Sequence, residues 1–281
     1  MKAPRPDSGP TVTGVAALTP RNRYYSLNLL PKPAGSFEAQ GRSQMTMNTT
    51  LVINAKGGVG KSTITTNLAS YFAARDITTT IADFDPQGSS LNWLAQRSSD
   101  ARKIYGADLS TRIGGAGFAN GRRVIPRETR QLIIDAPAGP SRLLLQDLLA
   151  RAQSIVIPVA PSSIDVHATA NFIKELLLVG HVRFRNIRVA VIANRVRNNK
   201  PVYAPLERFV ASLGITFLGR VTDSDVYVEA AESGLGVFDL PAEAAADEQR
   251  EFQPIVRWVL GEQASEDGAS SNVVPITAAR A

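Results

Sequence analysis

An α/β fold, a doubly wound and mostly parallel sheet, is predicted by three observations on this chain. Short apolar runs alternate with stretches of helical periodicity across residues 49–263, the pattern of strands joined by crossover helices. The first run passes through a glycine-rich turn directly into a helical stretch, as a phosphate-binding strand–turn–helix unit requires. Polar residues follow the apolar runs repeatedly, and ligands of open parallel sheets bind at the carboxyl ends of the strands.

Leu51-Val52-Ile53-Asn54-Ala55 is short and apolar and reads as a buried strand. Residues 61–74 carry Ile64, Leu68 and Phe72 at helical spacing, so a helix follows. Ile77-Thr78-Thr79-Thr80-Ile81-Ala82 is rich in β-branched residues and reads as strand two, with a helix after it through Leu91, Trp93 and Leu94. Residues 97–130 are rich in Gly and Arg and read as irregular. Leu132-Ile133-Ile134 is the third strand and Ile155-Val156-Ile157-Pro158-Val159 the fourth, followed by a helix over 166–179. Residues 187–193 make the fifth strand, ending at Asn194, and Ile215-Thr216-Phe217-Leu218 the sixth. Residues 1–48 hold Pro4, Pro6, Pro10, Pro20, Pro31 and Pro33 with little periodicity. They read as a disordered basic tail, or as sequence upstream of a start at Met45 or Met47. Residues 264–281 are small and polar and read as a flexible tail.

The glycine-rich turn is Lys56-Gly57-Gly58-Val59-Gly60-Lys61-Ser62-Thr63. It fits the phosphate-loop pattern G-x-x-x-x-G-K-[ST] except that Ala55 fills the first glycine slot. Backbone N–H groups of such a loop curl around phosphates, Lys61 reaches the β- and γ-phosphates, and the Ser62 hydroxyl is placed to ligate Mg²⁺. Lys56 is an additional cation in a loop already served by Lys61. Asp83 and Asp85 follow strand two and Asp135 follows strand three, on the same sheet edge as the loop. An aspartate after a hydrophobic strand is a Walker-B type of Mg²⁺ partner, and Asp135 fits that role. Strand-end aspartates also cap helices and turns.

The second lysine, with Asp83-Phe84-Asp85-Pro86-Gln87, resembles the deviant Walker-A class of P-loop ATPases, the ParA/MinD family. Gly88-Ser89-Ser90-Leu91-Asn92-Trp93, the stretch from Ile157 to Asp165, and Ala230-Ala231-Glu232-Ser233-Gly234-Leu235-Gly236-Val237 extend the resemblance from about Leu51 to Leu260. It is closest to the compact ParA proteins, including carboxysome-positioning McdA-like ones. The resemblance implies an Mg²⁺-dependent ATPase. Catalysis would fall to Lys61, to Lys56 reaching the nucleotide of a partner subunit, and to Asp85 orienting water. Asp83 would support the Mg²⁺ shell, and Asn194 would lie against adenine. The implied cycle is an ATP-dependent homodimer that binds nonspecific DNA over the nucleoid. A cargo-bound ParB- or McdB-like partner would stimulate hydrolysis. The protein would then be cytoplasmic and nucleoid-associated, without a membrane partner.

DNA binding of this kind needs Lys and Arg against phosphate. Arg195, Arg197 and Lys200 after strand five, Arg208 on the next helix and Arg220 after strand six are the expected contacts. Where many relatives carry arginines, this chain has Val221-Thr222-Asp223-Ser224-Asp225-Val226-Tyr227. The basic region between Arg97 and Arg130, or the N-terminal tail, could compensate. The net charge of +6 is uneven: Lys2, Arg5, Arg21, Arg23, Lys32 and Arg42 against Asp7 and Glu38 give +4, leaving +2 for the rest. Overall charge is therefore weak evidence about the folded domain.

The absence of cysteine excludes disulfides, thiolate nucleophiles and the Cys-held Fe–S clusters of some relatives. It also excludes a fused glutaminase for an amidating ligase. A dethiobiotin-synthetase-like ligase and a MinD-like membrane-surface ATPase are the competing functions. The second needs a basic amphipathic terminal helix, which residues 264–281 do not resemble. A bacterial tyrosine kinase would want a tyrosine-rich tail, and those residues contain no Tyr.

Overall fold

The computed structural model describes residues 47–110, 125–179, 182, 186–197 and 203–262. Residues 1–46 of the expected N-terminal tail, the expected C-terminal tail, Lys200 and the central part of the Gly/Arg-rich stretch lie outside the described residues, while Asn48, placed in the tail, begins the first strand. A seven-stranded sheet forms the centre of the fold, with every strand pairing parallel. Its strands are β1 (Asn48–Val52), β2 (Thr79–Asp83), β3 (Tyr105–Asp108), β4 (Gln131–Asp135), β5 (Ser154–Val159), β6 (Arg188–Val196) and β7 (Thr216–Thr222), in the spatial order β3-β2-β4-β1-β5-β6-β7. The helices are α1 (Lys61–Ala73), α2 (Ser89–Gln96), α3 (Arg142–Leu149), α4 (Ser163–Val179), α5 (Ala204–Ser212), α6 (Asp225–Glu232) and α7 (Ala242–Leu260).

Alternation along the strands produces two cores. Leu51, Ile53, Leu132, Ile134, Ile155 and Ile157 bury into one, with Leu145, Leu148, Ile173 and Val210 from α3, α4 and α5. Val52, Ile133 and Val156, one residue out of step, bury into the other with Leu68, Phe72 and Phe252 from α1 and α7. A strand period of two sends neighbours to opposite faces, and a sheet covered on both sides reads as a continuous apolar run.

β1 sits between β4 and β5, where the winding reverses: β2, β3 and β4 lie to one side of it, and β5, β6 and β7 to the other. That switch point is the crevice where doubly wound sheets place ligands, and the glycine-rich loop leaves β1 there. The register sets the acidic residues beside it. Val52 is level with Asp135, and Asp135 is level with Asp83 on the adjoining β2.

Three expectations are corrected. The sheet has a seventh strand, β3, inside the stretch read as irregular. Its edge sequence Tyr105-Gly106-Ala107-Asp108 has no apolar run to announce it. Strand five runs to Val196, so Asn194 and Arg195 lie within β6. The last strand runs to Thr222, so Arg220 lies within β7.

Candidate active site

The loop between β1 and α1 turns on two glycines in the left-handed region, Gly58 (φ +76°) and Gly60 (φ +86°). Gly60 is the N-cap of α1 and makes no side-chain cap. The first-turn N–H groups of α1 and the positive end of its dipole therefore face the crevice, which favours an anion. Asn54 steadies the loop's start: it donates to Pro158 O (2.8 Å) and Thr169 Oγ1 (2.9 Å) and accepts from Lys56 N (3.1 Å).

The structure brings Lys61, Ser62, Asp83, Asp85 and Asp135 together under this loop. Lys61 is buried, its Nζ donating to Lys56 O at 3.3 Å. Burial lowers its pKa, while the carboxylates of Asp135 and Asp85 act in the opposite direction. Asp135 is 1% exposed, and neither of its oxygens has a hydrogen-bond partner of normal geometry. Burial first, and Asp83 alongside second, push its pKa up to about 7 against smaller lowering by the Ser62 hydroxyl and Lys61. A buried carboxyl with two orphaned oxygens next to a serine hydroxyl and a phosphate-binding turn is a good partner for a hard divalent cation. Mg²⁺ takes one or two protein oxygens and completes its octahedron with phosphate and water. Among the described residues no group of three or more His, Asp or Glu could hold a metal alone. Ser62 and Asp135 would hold Mg²⁺, which when bound supplies charge neutralisation to the phosphates.

Asp83 is tied into the turn that carries Asp85. Its Oδ1 accepts Asp85 N (2.9 Å), and its Oδ2 accepts Ser90 Oγ (2.7 Å) and Leu91 N (3.4 Å). Both oxygens are thus committed to the turn between β2 and α2, and the residue fixes where Asp85 sits. Asp85, half-buried, accepts Gln87 N at 2.9 Å in an Asx turn ahead of Gly88, the left-handed N-cap of α2.

Asn194 is 2% exposed, and its Nδ2 donates to Val59 O at 2.8 Å. A Cβ added to Gly60 would fall on that amide. The side chain thus holds the phosphate loop against β6 through one of its donors. A cavity of about 710 Å³ opens beside Gly60 and Thr63, walled by Trp93 of α2, Tyr227 of α6, Arg195 and the residues around Asp223. Its volume lies within the range of small-molecule pockets.

Lys56 points elsewhere. Its side chain is 47% exposed and its Nζ lies 3.8 Å from Asp165 Oδ1. Asp165 lies in the first turn of α4, where the capping Ser162 Oγ donates to its Oδ2 (2.6 Å) and accepts its N–H (3.0 Å). The pattern Ser162-x-x-Asp165 was the signal for this residue in the sequence. Of the expected DNA contacts, Arg195 and Arg197 both pair with Asp223, and Arg220 lies 3.5 Å from Glu207. Arg208 is exposed on α5. Arg195 also donates to Gly58 O at 3.4 Å, which ties it to the phosphate loop.

A family model described as the CobQ/CobB/MinD/ParA nucleotide binding domain matches residues 50–237. The protein named maintenance of carboxysome distribution protein A from Halothiobacillus neapolitanus is 26% identical over 206 residues, spanning 71% of this chain and 92% of that protein. The protein of the same name from Gloeobacter kilaueensis is 32% identical over 115 residues, 41% of this chain and 50% of that protein. Among solved structures, MinD of Aquifex aeolicus superposes with a TM-score of 0.55 at 17% identity, covering 78% of this chain and 99% of that one. A Cyanothece McdA–ATP complex also gives 0.55, at 14% identity, over 79% and 99%. A plasmid partition protein from Borrelia burgdorferi bound to AMPPNP gives 0.53, at 14% identity, over 75% and 99%. At these identities the structures bear on the fold alone.

Proposed function

Because the chain belongs to the CobQ/CobB/MinD/ParA nucleotide-binding family, we propose that it is a ParA-type positioning ATPase. In this reading ATP and Mg²⁺ bind at the loop from Lys56 to Thr63, and two ATP-bound subunits associate through their loop faces. The dimer holds nonspecific DNA, and a ParB- or McdB-like partner on a cargo stimulates hydrolysis. The relative spanning 92% of its own length favours a protein organelle of the carboxysome kind as that cargo.

One observation carries the reading: the two lysines of the loop occupy opposite environments. Lys61 is buried beside Asp135 and serves the phosphates of its own chain. Lys56 is half in solvent, held by one weak ion pair, and is free to reach a second subunit. Exposed pairs of this type are worth only ~0–1 kcal/mol, so a nucleotide phosphate competes with Asp165 for Lys56 at little cost. Asp85, placed by Asp83, orients a water for in-line attack on the γ-phosphorus. The bond from that phosphorus to the β–γ bridging oxygen breaks, and ADP and inorganic phosphate leave. Lys61 and the loop N–H groups stabilise the charge that moves onto the leaving oxygen.

The test is mass measurement in solution with ATP, ADP or no nucleotide, together with phosphate release. Wild-type protein is expected to dimerise with ATP and Mg²⁺ only. Lys56→Ala is expected to bind ATP as a monomer, and Asp85→Ala to dimerise without turnover. An ATP dimer of ordinary affinity in Lys56→Ala, or full turnover in Asp85→Ala, would refute the assigned roles.

A further inference from the structure

The Asp223 carboxylate stands between two of the cations expected to meet DNA. Arg197 Nε bonds Asp223 Oδ2 at 2.6 Å, and Arg195 Nε lies 3.4 Å from Oδ1. The backbone enforces this arrangement. Asp223 N donates to Val196 O at 3.1 Å, pinning the residue after β7 against the last residue of β6. Arg195 is held in the left-handed region (φ +59°), where the β6–β7 register shifts. That conformation is uncommon for a residue with a side chain and turns its guanidinium toward both Asp223 and Gly58 O. Asp225, at the start of α6, adds further negative potential at Arg197. Arg220 faces Glu207. Of the four expected DNA contacts among the described residues, Arg195, Arg197, Arg208 and Arg220, three therefore already face a carboxylate.

A cation neutralised by its own chain releases fewer counterions on meeting a DNA phosphate, so it contributes less affinity. Both arginine side chains remain more than half exposed. Exposed pairs are individually weak, so the carboxylate lowers affinity without forbidding contact. We infer that Asp223 is an intramolecular mask on a duplex-DNA-binding surface formed by Arg195 and Arg197, holding its affinity below what the two arginines would give unpaired. The inference rests on the DNA-binding reading proposed above. It differs from that reading in giving the acidic residue a quantitative role. Because Arg195 bonds both Asp223 and the phosphate loop, the mask is built next to the nucleotide.

Retention of the full chain on random-sequence duplex DNA across a salt series, with ATP, ADP or no nucleotide, tests this. Wild type, Asp223→Asn, Arg197→Gln and the double variant are compared, with affinity expressed per ATP dimer because Asp223 also borders the cavity. With ATP, Asp223→Asn is expected to bind about three- to tenfold tighter near 0.1 M salt, with the log–log salt slope steeper by about 1–2. Arg197→Gln is expected to change little in the wild-type background and to remove most of the gain in the Asp223→Asn background, a non-additivity that a structural side effect would not give. Unchanged or weaker binding by Asp223→Asn overturns the mask, and so does a gain that survives Arg197→Gln undiminished. Wild-type retention with ATP but no gain in the variant overturns the mask alone. No retention by either protein with any nucleotide overturns the mask and the DNA-binding reading together.

Discussion

Replacing Asp135 by Asn should stabilise the nucleotide-free protein, and the gain should grow with pH. The carboxyl is 1% exposed and lacks hydrogen-bond partners, and its pKa moves from 3.8 to about 7. The folded state therefore holds a proton on Asp135 at pH values where the unfolded chain has released it. Between about pH 4 and 7 the native state binds more protons than the unfolded state, so the slope of stability with pH is negative. The contribution is most favourable below the unfolded value and declines as pH rises through the folded one. At about 1.36 kcal/mol per pH unit, the ionised side chain costs on the order of 4 kcal/mol above pH 7, of which about 2 kcal/mol develops between pH 5.5 and 8. Asp83, also raised chiefly by burial, adds a slope of the same sign. The difference between the two proteins reports Asp135 together with its coupling to Asp83. Urea unfolding in EDTA, without nucleotide, at pH 5.5, 7 and 8 measures it. The wild type should lose ground to Asp135→Asn by about 2 kcal/mol across that range. Parallel pH profiles, or a wild type that gains on the variant as pH rises, would refute the burial argument and with it the reading of Asp135 as a carboxylate waiting for a cation.

Other perturbations test the scaffold. Arg97 and Asp239 form a bidentate pair at 2.6 and 2.8 Å, with side chains 4% and 7% exposed. Asp239→Ala should destabilise by about 3–5 kcal/mol in urea unfolding, and a loss under about 1 kcal/mol would show that the pair is dispensable. Gly60→Ala combines a left-handed backbone with a clash on the Asn194 amide. It should abolish nucleotide binding in equilibrium titration, and retained affinity would mean that the loop rearranges freely. Asp165→Ala removes an ion pair of 3.8 Å to a half-exposed lysine, so stability should change by less than about 1 kcal/mol. A larger loss would make the Ser162–Asp165 cap, and not the lysine contact, the residue's main role.

The readable parts of the chain were those where burial and backbone geometry demand particular residue types. β4 and β5 are buried along their whole length, so their apolar runs stand out. The phosphate loop needs glycine where φ is positive, at Gly58 and Gly60. β3 was hidden for the opposite reason. It is an edge strand with only Ala107 buried, and a Cβ on Gly106 would come within 2.8 Å of the Leu91 and Leu94 methyls, which would have to shift. That contact is with α2, 12 to 15 residues earlier in the chain, and no local pattern announces it. The contacts of Asp83 and Asn194 were hidden in the same way. Each is a polar residue near a strand end, and only the fold brings it to its partner, Ser90 in one case and Val59 in the other. α3 was not read from the sequence although its signals are local: Ser141 caps it by accepting from Leu144 N, and Leu144, Leu145 and Leu148 share its buried face.

The stretch from Ala230 to Val237 shows how a remote segment comes to matter for the site. Val237 N donates to Asn67 Oδ1 (2.8 Å), and Asn67 Nδ2 donates to Thr63 O (2.9 Å) in the first turn of α1. Trp93 Nε1 donates to Leu235 O at 3.1 Å, and Arg97 Nη1 to Gly234 O at 3.0 Å. The segment thus binds the helix that carries Lys61 and the helix that follows Asp85. Gly236 has no room for a side chain, since a Cβ would lie 2.5 Å from Ser70 Cβ, and Gly234 is left-handed with the Arg97 backbone against it. Residues 230–237 therefore clamp the helix after the phosphate loop to the helix after the Asp85 turn. A loosened clamp should lower turnover more than nucleotide affinity, because in-line attack depends on the relative position of two groups while phosphate binding depends on one loop.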